Sequence, residues 1–148
     1  MANTVTNVTT AKPNVAGALY CAPSGTSLPT DATTALANTY KSLGFISEDG
    51  LRNNVSSDST AIKEWGGSTV DTVDDNFTDT FQCTLIEALN ADVLTAVHTN
   101  ATGTLAVGLS VTVGANERPE QVFVVDMIMR GGVAKRVIIP RGKITAVG

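Results

Sequence analysis

Gln121-Val122-Phe123-Val124-Val125-Asp126-Met127-Ile128-Met129 carries apolar side chains at odd and even positions alike, and beyond Gln121 only Asp126 interrupts it. A strand that buries both of its faces reads this way, so the spacing predicts a central strand. Gly131-Gly132 follows as a two-residue hairpin turn. Val133 to Ile139 returns antiparallel and stops at Pro140, which has no N–H to give to a ladder. One more strand is expected at Lys143-Ile144-Thr145.

Upstream of that hairpin, Leu105 to Val113 alternates Leu or Val with small or hydroxylated residues and predicts a strand with a smooth outer face. Phe77 to Ala88 alternates more cleanly. Phe77, Asp79, Phe81, Cys83 and Leu85 share a face that is expected to be core, and Thr78, Thr80, Gln82 and Thr84 share a wet one. Between these two strands, Asn90 fits the N-cap of a short helix over Ala91 to His98, with Asp92 where the helix dipole favours a negative charge. Leu89, Val93, Leu94 and Val97 form the stripe that would lie on a sheet. His98, the only histidine, falls at the helix end with no ligand-type neighbours at metal spacing.

Toward the N-terminus, strands are expected at Val15 to Ala22, closed by the turn Pro23-Ser24-Gly25, and at Tyr40 to Ser47. Glu48 to Asn76 shows no period and reads as a long polar loop between the second and third strands, a length that usually signals function. That segment carries Glu48, Asp58, Glu64, Asp71, Asp74 and Asp75, and its Trp65, the only tryptophan, fits either a contact or a cover for the domain's own core. Residues 1–14 read as an extended arm and 15–148 as a single domain: mainly β, an antiparallel β-sandwich with one short helix and a long loop.

Composition narrows the function. The 148 residues hold 21 Thr and 13 Gly, which favours strands and turns over long helices. A net charge of −4 and a pI near 4.8 do not suit a protein that grips nucleic acid through phosphates. No apolar run approaches the length of a membrane-spanning helix, and Met1-Ala2-Asn3-Thr4 predicts no secretory signal. The Asn-x-Ser/Thr sequons at Asn7, Asn54, Asn76 and Asn100 are what a Thr- and Asn-rich chain produces by chance. Cys21 and Cys83 lack any C-x-x-C spacing, so free thiols are expected in preference to a bridge. No residues are spaced for a metal or cofactor, and no nucleophile with a base or carboxylate pair argues for an enzyme; Glu87 and Asp79 read as edge and interface charges. A carbohydrate-binding or adhesin module remains the alternative, although seven aromatics supply little platform for a sugar.

Ala11-Lys12-Pro13-Asn14-Val15-Ala16-Gly17-Ala18-Leu19-Tyr20, Ala22 to Ala32 and Leu43-Gly44-Phe45-Ile46-Ser47-Glu48-Asp49-Gly50 resemble the opening of siphophage major tail tube proteins. The resemblance continues at Ile62-Lys63-Glu64-Trp65-Gly66-Gly67, at Phe81 to Asn90 with Val93-Leu94, and from Val125-Asp126-Met127-Ile128 through Gly131-Gly132 to Ile139-Pro140. It implies a tail-tube fold and a non-enzymatic role in the virion tail: hexameric rings stacked around a channel for genome passage, assembled in the host cytoplasm. The implied partners are the chain itself and the tail terminator, tape measure and distal tail proteins, with DNA passing unbound. The 48–76 loop and the N-terminal arm would join ring to ring. The acids from Asp58 to Asp79 would pair across a heterologous interface with the bases that follow Asp126, among them Arg130, Lys135 and Arg136. Thr80, Gln82 and Thr84, and separately Ser110 and Thr112, are candidates for the channel wall and equally for an ordinary solvated face.

Overall fold

In chain order the strands are β1 (Lys12–Pro13), β2 (Leu19–Pro23), β3 (Lys41–Ser42), β4 (Arg52–Lys63), β5 (Thr69–Gln82), β6 (Ala101–Thr104), β7 (Gly108–Val111), β8 (Gln121–Ile128) and β9 (Ala134–Gly142). One helix, α1 (Ala91–Val97), lies between β5 and β6. The structure is a computed structural model describing residues 3–14, 17–99, 101–104, 107–112, 114 and 117–147. Val15 and Ala16 of the first predicted strand, the Asn100 sequon, and Leu105, Ala106 and Val113 of the predicted 105–113 strand fall outside those residues. The fold is mainly β and antiparallel, with one short helix, in keeping with a β-sandwich. It divides into two compact units, Met1–Ile46 with Leu85–Gly148 and Ser47–Thr84.

In the larger unit β8 is central, as its two-sided apolar pattern requires. β9 pairs along one side of it, while β2 and β1 share the other, β2 against Gln121 to Val125 and β1 against Met127 and Ile128. β3 extends the sheet beyond β2. On one face Ala22, Val122 and Val124 are buried with Tyr40, and Tyr20, Leu36 and Ile138 pack against them. Tyr40 and Leu36 belong to the connection between β2 and β3, which therefore roofs this face. Leu19, Cys21 and Val125 are buried on the other. There α1 turns Val93 and Ala96 inward, and Ala96, Thr95 and Asp92 line a depression with Cys21.

Asp126 is the one buried acid among the described residues, and its cross-strand partner on β9 is Arg136. Arg136 Nε and Nη2 donate to the two Asp126 carboxylate oxygens at 2.6 and 2.9 Å, with the side chains 5% and 9% exposed. Nη1 donates to the carbonyls of Asp31 and Thr34 at 2.7 and 3.0 Å, so the same guanidinium fastens the β2–β3 connection to the sheet. Hydrogen bonds from the Thr34 hydroxyl and from the Thr34 and Thr33 amides hold the Asp31 carboxyl well below its ordinary 3.8. A lowered carboxyl pKa contributes stability above the ordinary value that is lost as pH falls through the depressed one.

Several expected strand boundaries move for local reasons. The predicted 40–47 strand shrinks to β3 plus a single bridge from Ile46 to Leu85, because Gly44 takes φ +71 and the Glu87 carboxylate occupies the space a Cβ would need. Glu87 Oε1 accepts from Phe45 N at 3.0 Å and Oε2 from Asn90 Nδ2 at 2.9 Å, so Glu87 anchors this turn internally. The helix starts where expected, with the Asn90 side chain accepting from Asp92 N at 3.0 Å, but Leu89 stays exposed. In place of one 105–113 strand there is a hairpin of β6 and β7, with Gly103 and Gly108 at φ +109 and +116, a backbone that other residues seldom adopt. The β8–β9 turn takes three residues, Arg130–Gly132, and Met129 N donates to Val133 O across it at 2.8 Å. β9 runs past Pro140 to Gly142, since Pro140 and Arg141 face Val122 in a register irregularity where no N–H is required. Lys143 to Thr145 form no strand.

Glu48 to Asn76 is the largest correction: it is not a loop. Ser47–Thr84 is built on the long hairpin of β4 and β5. The predicted Phe77 to Ala88 strand is likewise shifted, ending at Gln82 and starting at Thr69. The period was hidden because every residue of β4 and β5 is exposed except Phe81, which is half-buried, and strands wet on both faces do not alternate.

Asp126→Ala leaves a buried guanidinium without its counter-charge and should lower unfolding free energy by about 3–5 kcal/mol, measured by urea titration. A loss below about 1 kcal/mol, the range of exposed ion pairs, would contradict this reading of the latch.

Candidate self-assembly interface

Twelve residues of β4 at about 3.3 Å each give the hairpin a reach of roughly 40 Å. Its tip closes with Glu64 N donating to Ser68 O and Gly67 N to Glu64 O, both at 2.9 Å, and Trp65 stands fully exposed there. Phe77, Val55, Ile62 and Val73 are also exposed along the strands, at 72, 55, 46 and 42%. An isolated two-stranded hairpin is marginally stable at best in water.

The ladder contains a bulge. Ser56 pairs with Thr78 and Asp58 with Asp75, so Ser57 alone faces both Asn76 and Phe77. Asn76 has φ +54, the single non-glycine residue in the left-handed region among those described, and asparagine tolerates that conformation better than most side chains. Asp58 and Asp75 sit directly opposite each other, which is repulsive in an isolated sheet.

The sequence-predicted site residues fall into separate places. Glu48 is exposed in the turn Ser47–Gly50, Asp58 is on β4, Glu64 and Trp65 are at the tip, and Asp71, Asp74 and Asp75 are on β5. Thr80 and Gln82 are on β5, Thr80 Oγ1 donating to Asn54 O at 3.2 Å, and Thr84 lies just beyond. Ser110 is on β7 in the other unit, and Thr112 follows it. Arg130 and Lys135 are exposed at the β8–β9 turn and, among the described residues, make no ion pair. Arg136 is engaged inside its own chain. Arg141 and Lys143 pair with Glu120 and Glu117 at 2.8 Å on the surface. The predicted arm is attached at its far end, where Lys12–Pro13 pairs with β8 and Thr9 Oγ1 accepts from Arg130 N at 2.8 Å.

From the sequence alone Val55, Ile62 and Val73 do not stand out as exposed apolar residues, and Phe77 reads as core, whereas all four are exposed. The apolar positions Val70, Val73 and Phe77 are spaced by three and four, since register irregularities break the two-residue period on both sides of Val73. What the sequence did carry was charge. Ser47–Thr84 holds eight acids against Arg52 and Lys63, a formal −6, while the rest of the chain, with six acids and eight bases, is +2.

A model of the family described as phage tail tube protein matches residues 1–148. The chain belongs to the phage tail tube protein family. Its role is therefore structural, as a component of the virion tail that assembles with itself and with other tail proteins. Comparison with curated proteins and with solved structures returned no match.

Both cysteines of this subunit are free thiols. Burial, with a smaller contribution from the Asp92 charge, pushes the Cys21 thiol up to about 11, and burial also raises Cys83, which lines an open depression with Arg52 and Gln82. Near neutral pH, iodoacetamide should label Cys83 in the folded chain well before Cys21, whose labelling waits for unfolding. Equal labelling rates would contradict the burial of Cys21 under α1.

Proposed function

We propose that copies of this chain form hexameric rings that stack into the tail tube around a channel for genome passage, with the β4–β5 hairpin of each copy gripping its neighbours. The observation that carries this reading is the hairpin itself: it is long and acidic, and it exposes apolar side chains on both of its strands. Glu48, Asp58, Glu64, Asp71, Asp74 and Asp75 provide one side of the contact, with Trp65 as an anchor at the tip. Arg130 and Lys135 provide basic groups of the other side. Such a head-to-tail contact is heterologous, the type that propagates when it does not close. Residues 1–14 act as a second reach between copies, and 15–148 work as one domain in the assembly.

The channel side is neutral and polar, formed by Thr80, Gln82 and Thr84 or by Ser110 and Thr112, so that phosphates pass without being held. Tail terminator, tape measure and distal tail proteins meet the tube at its ends and in its bore, and assembly takes place in the host cytoplasm.

Electron microscopy of the concentrated protein should show rings or hollow tubes of even diameter with six-fold symmetry. Rising ionic strength should weaken assembly, because exposed charges are screened beyond about 10 Å at 0.1 M salt. Single molecules at every concentration would overturn the tube reading, and assembly indifferent to salt would overturn the charge pairing.

A further inference from the structure

The bulge at Asn76 and Phe77 does more than bend β5. Residues directly opposite in an antiparallel ladder share a face, and successive residues alternate. Pairing of Val55 with Asp79 and of Asn53 with Phe81 therefore puts Val55, Phe81 and Phe77 together on one face of the hairpin's lower half. The opposite face of that half carries Arg52, Asn54, Ser56, Thr78, Thr80 and Gln82 and is wholly polar. Past the bulge the parity of β5 reverses. Thr60 pairs with Val73 and Ile62 with Asp71, so Ile62 and Val73 are diagonal neighbours on the face that was polar below. Without the extra residue, Val73 would continue the Phe77 face.

The hairpin thus presents two apolar patches that look in opposite directions. Their surroundings differ too: Asp58, Asp71 and Asp75 share the face of Ile62 and Val73, whereas the face of Val55 and Phe77 carries Asp79 and, past the bulge, Asp74. A rigid body seated on one face of a ribbon does not reach the other. We propose that each hairpin is clasped between two different copies of the chain, one covering Val55, Phe77 and Phe81, the second covering Ile62 and Val73 from the opposite side. A second copy is the fitting occupant in both places because the rest of the chain is positive where the hairpin is −6, with Arg130 and Lys135 exposed and unpaired among the described residues. The distal patch, aliphatic and flanked by three acids, and the proximal patch, largely aromatic and flanked by two, differ in chemistry, so the two copies are met through different surfaces. This inference rests on the tube reading and adds to it that every hairpin joins three chains.

The test is photo-cross-linking in assembled tubes. A photo-reactive amino acid replaces Phe77, Val73 or both, and each labelled chain is diluted into a large excess of unlabelled chain so that one labelled copy is surrounded by natural ones. Either single label should give two-chain products, with the two positions mapping to different peptides, and the double label should give three-chain products. Double-labelled chains that yield only two-chain products, or both positions mapping to one copy, would overturn the clasp, as would an absence of cross-links at either position. Whether the unlabelled chain forms tubes at all is read first, so failure of the tube reading is seen separately from failure of the clasp.

Discussion

Two antiparallel strands enclose no interior, so within its own unit the ribbon of β4 and β5 rests on ladder hydrogen bonds and cross-strand pairs. Those pairs include Asp58 against Asp75, which repel. A natural chain that keeps a ribbon of this length, studded with Phe77, Val55, Ile62, Val73 and Trp65, leaves hydrophobic free energy unrealised until something else covers it. In the tube proposed above, covering the ribbon and building the assembly are the same event.

The larger unit is organised in the opposite way, with its commitments made internally. The one buried acid, Asp126, is met by Arg136, and the remaining guanidinium donor reaches the backbone of the β2–β3 connection that roofs the sheet. Removing Arg136 from the surface leaves Arg130 and Lys135 as the exposed bases of that end. The charge separation between the units is therefore narrower in its available contacts than the formal −6 and +2 indicate, and it is concentrated beside the β8–β9 turn.

Where one environment decided the residue pattern, the sequence was readable. β8 shows apolar residues on both faces because strands flank it and layers cover it. The Asn90 cap and the Asp92 position mark α1 through local hydrogen bonding alone. Where two environments compete, the pattern failed. β4 and β5 are strands without a buried face, and a bulge shifts their parity, so Glu48 to Asn76 resembles a loop. Gly44 interrupts the predicted 40–47 strand through a close approach by the Glu87 carboxylate that no local reading supplies. Charge survived as a signal, since the acidic excess of the hairpin is independent of its register.

Amide hydrogen exchange across Ser47–Thr84, compared between dispersed chains and assembled tubes, tests the central claim most directly. Protection of the β4 and β5 amides should be weak in the dispersed chain and strong in the tube, with little change in β8. Full protection of the hairpin in single molecules would show that it is stable without other copies and would contradict the account.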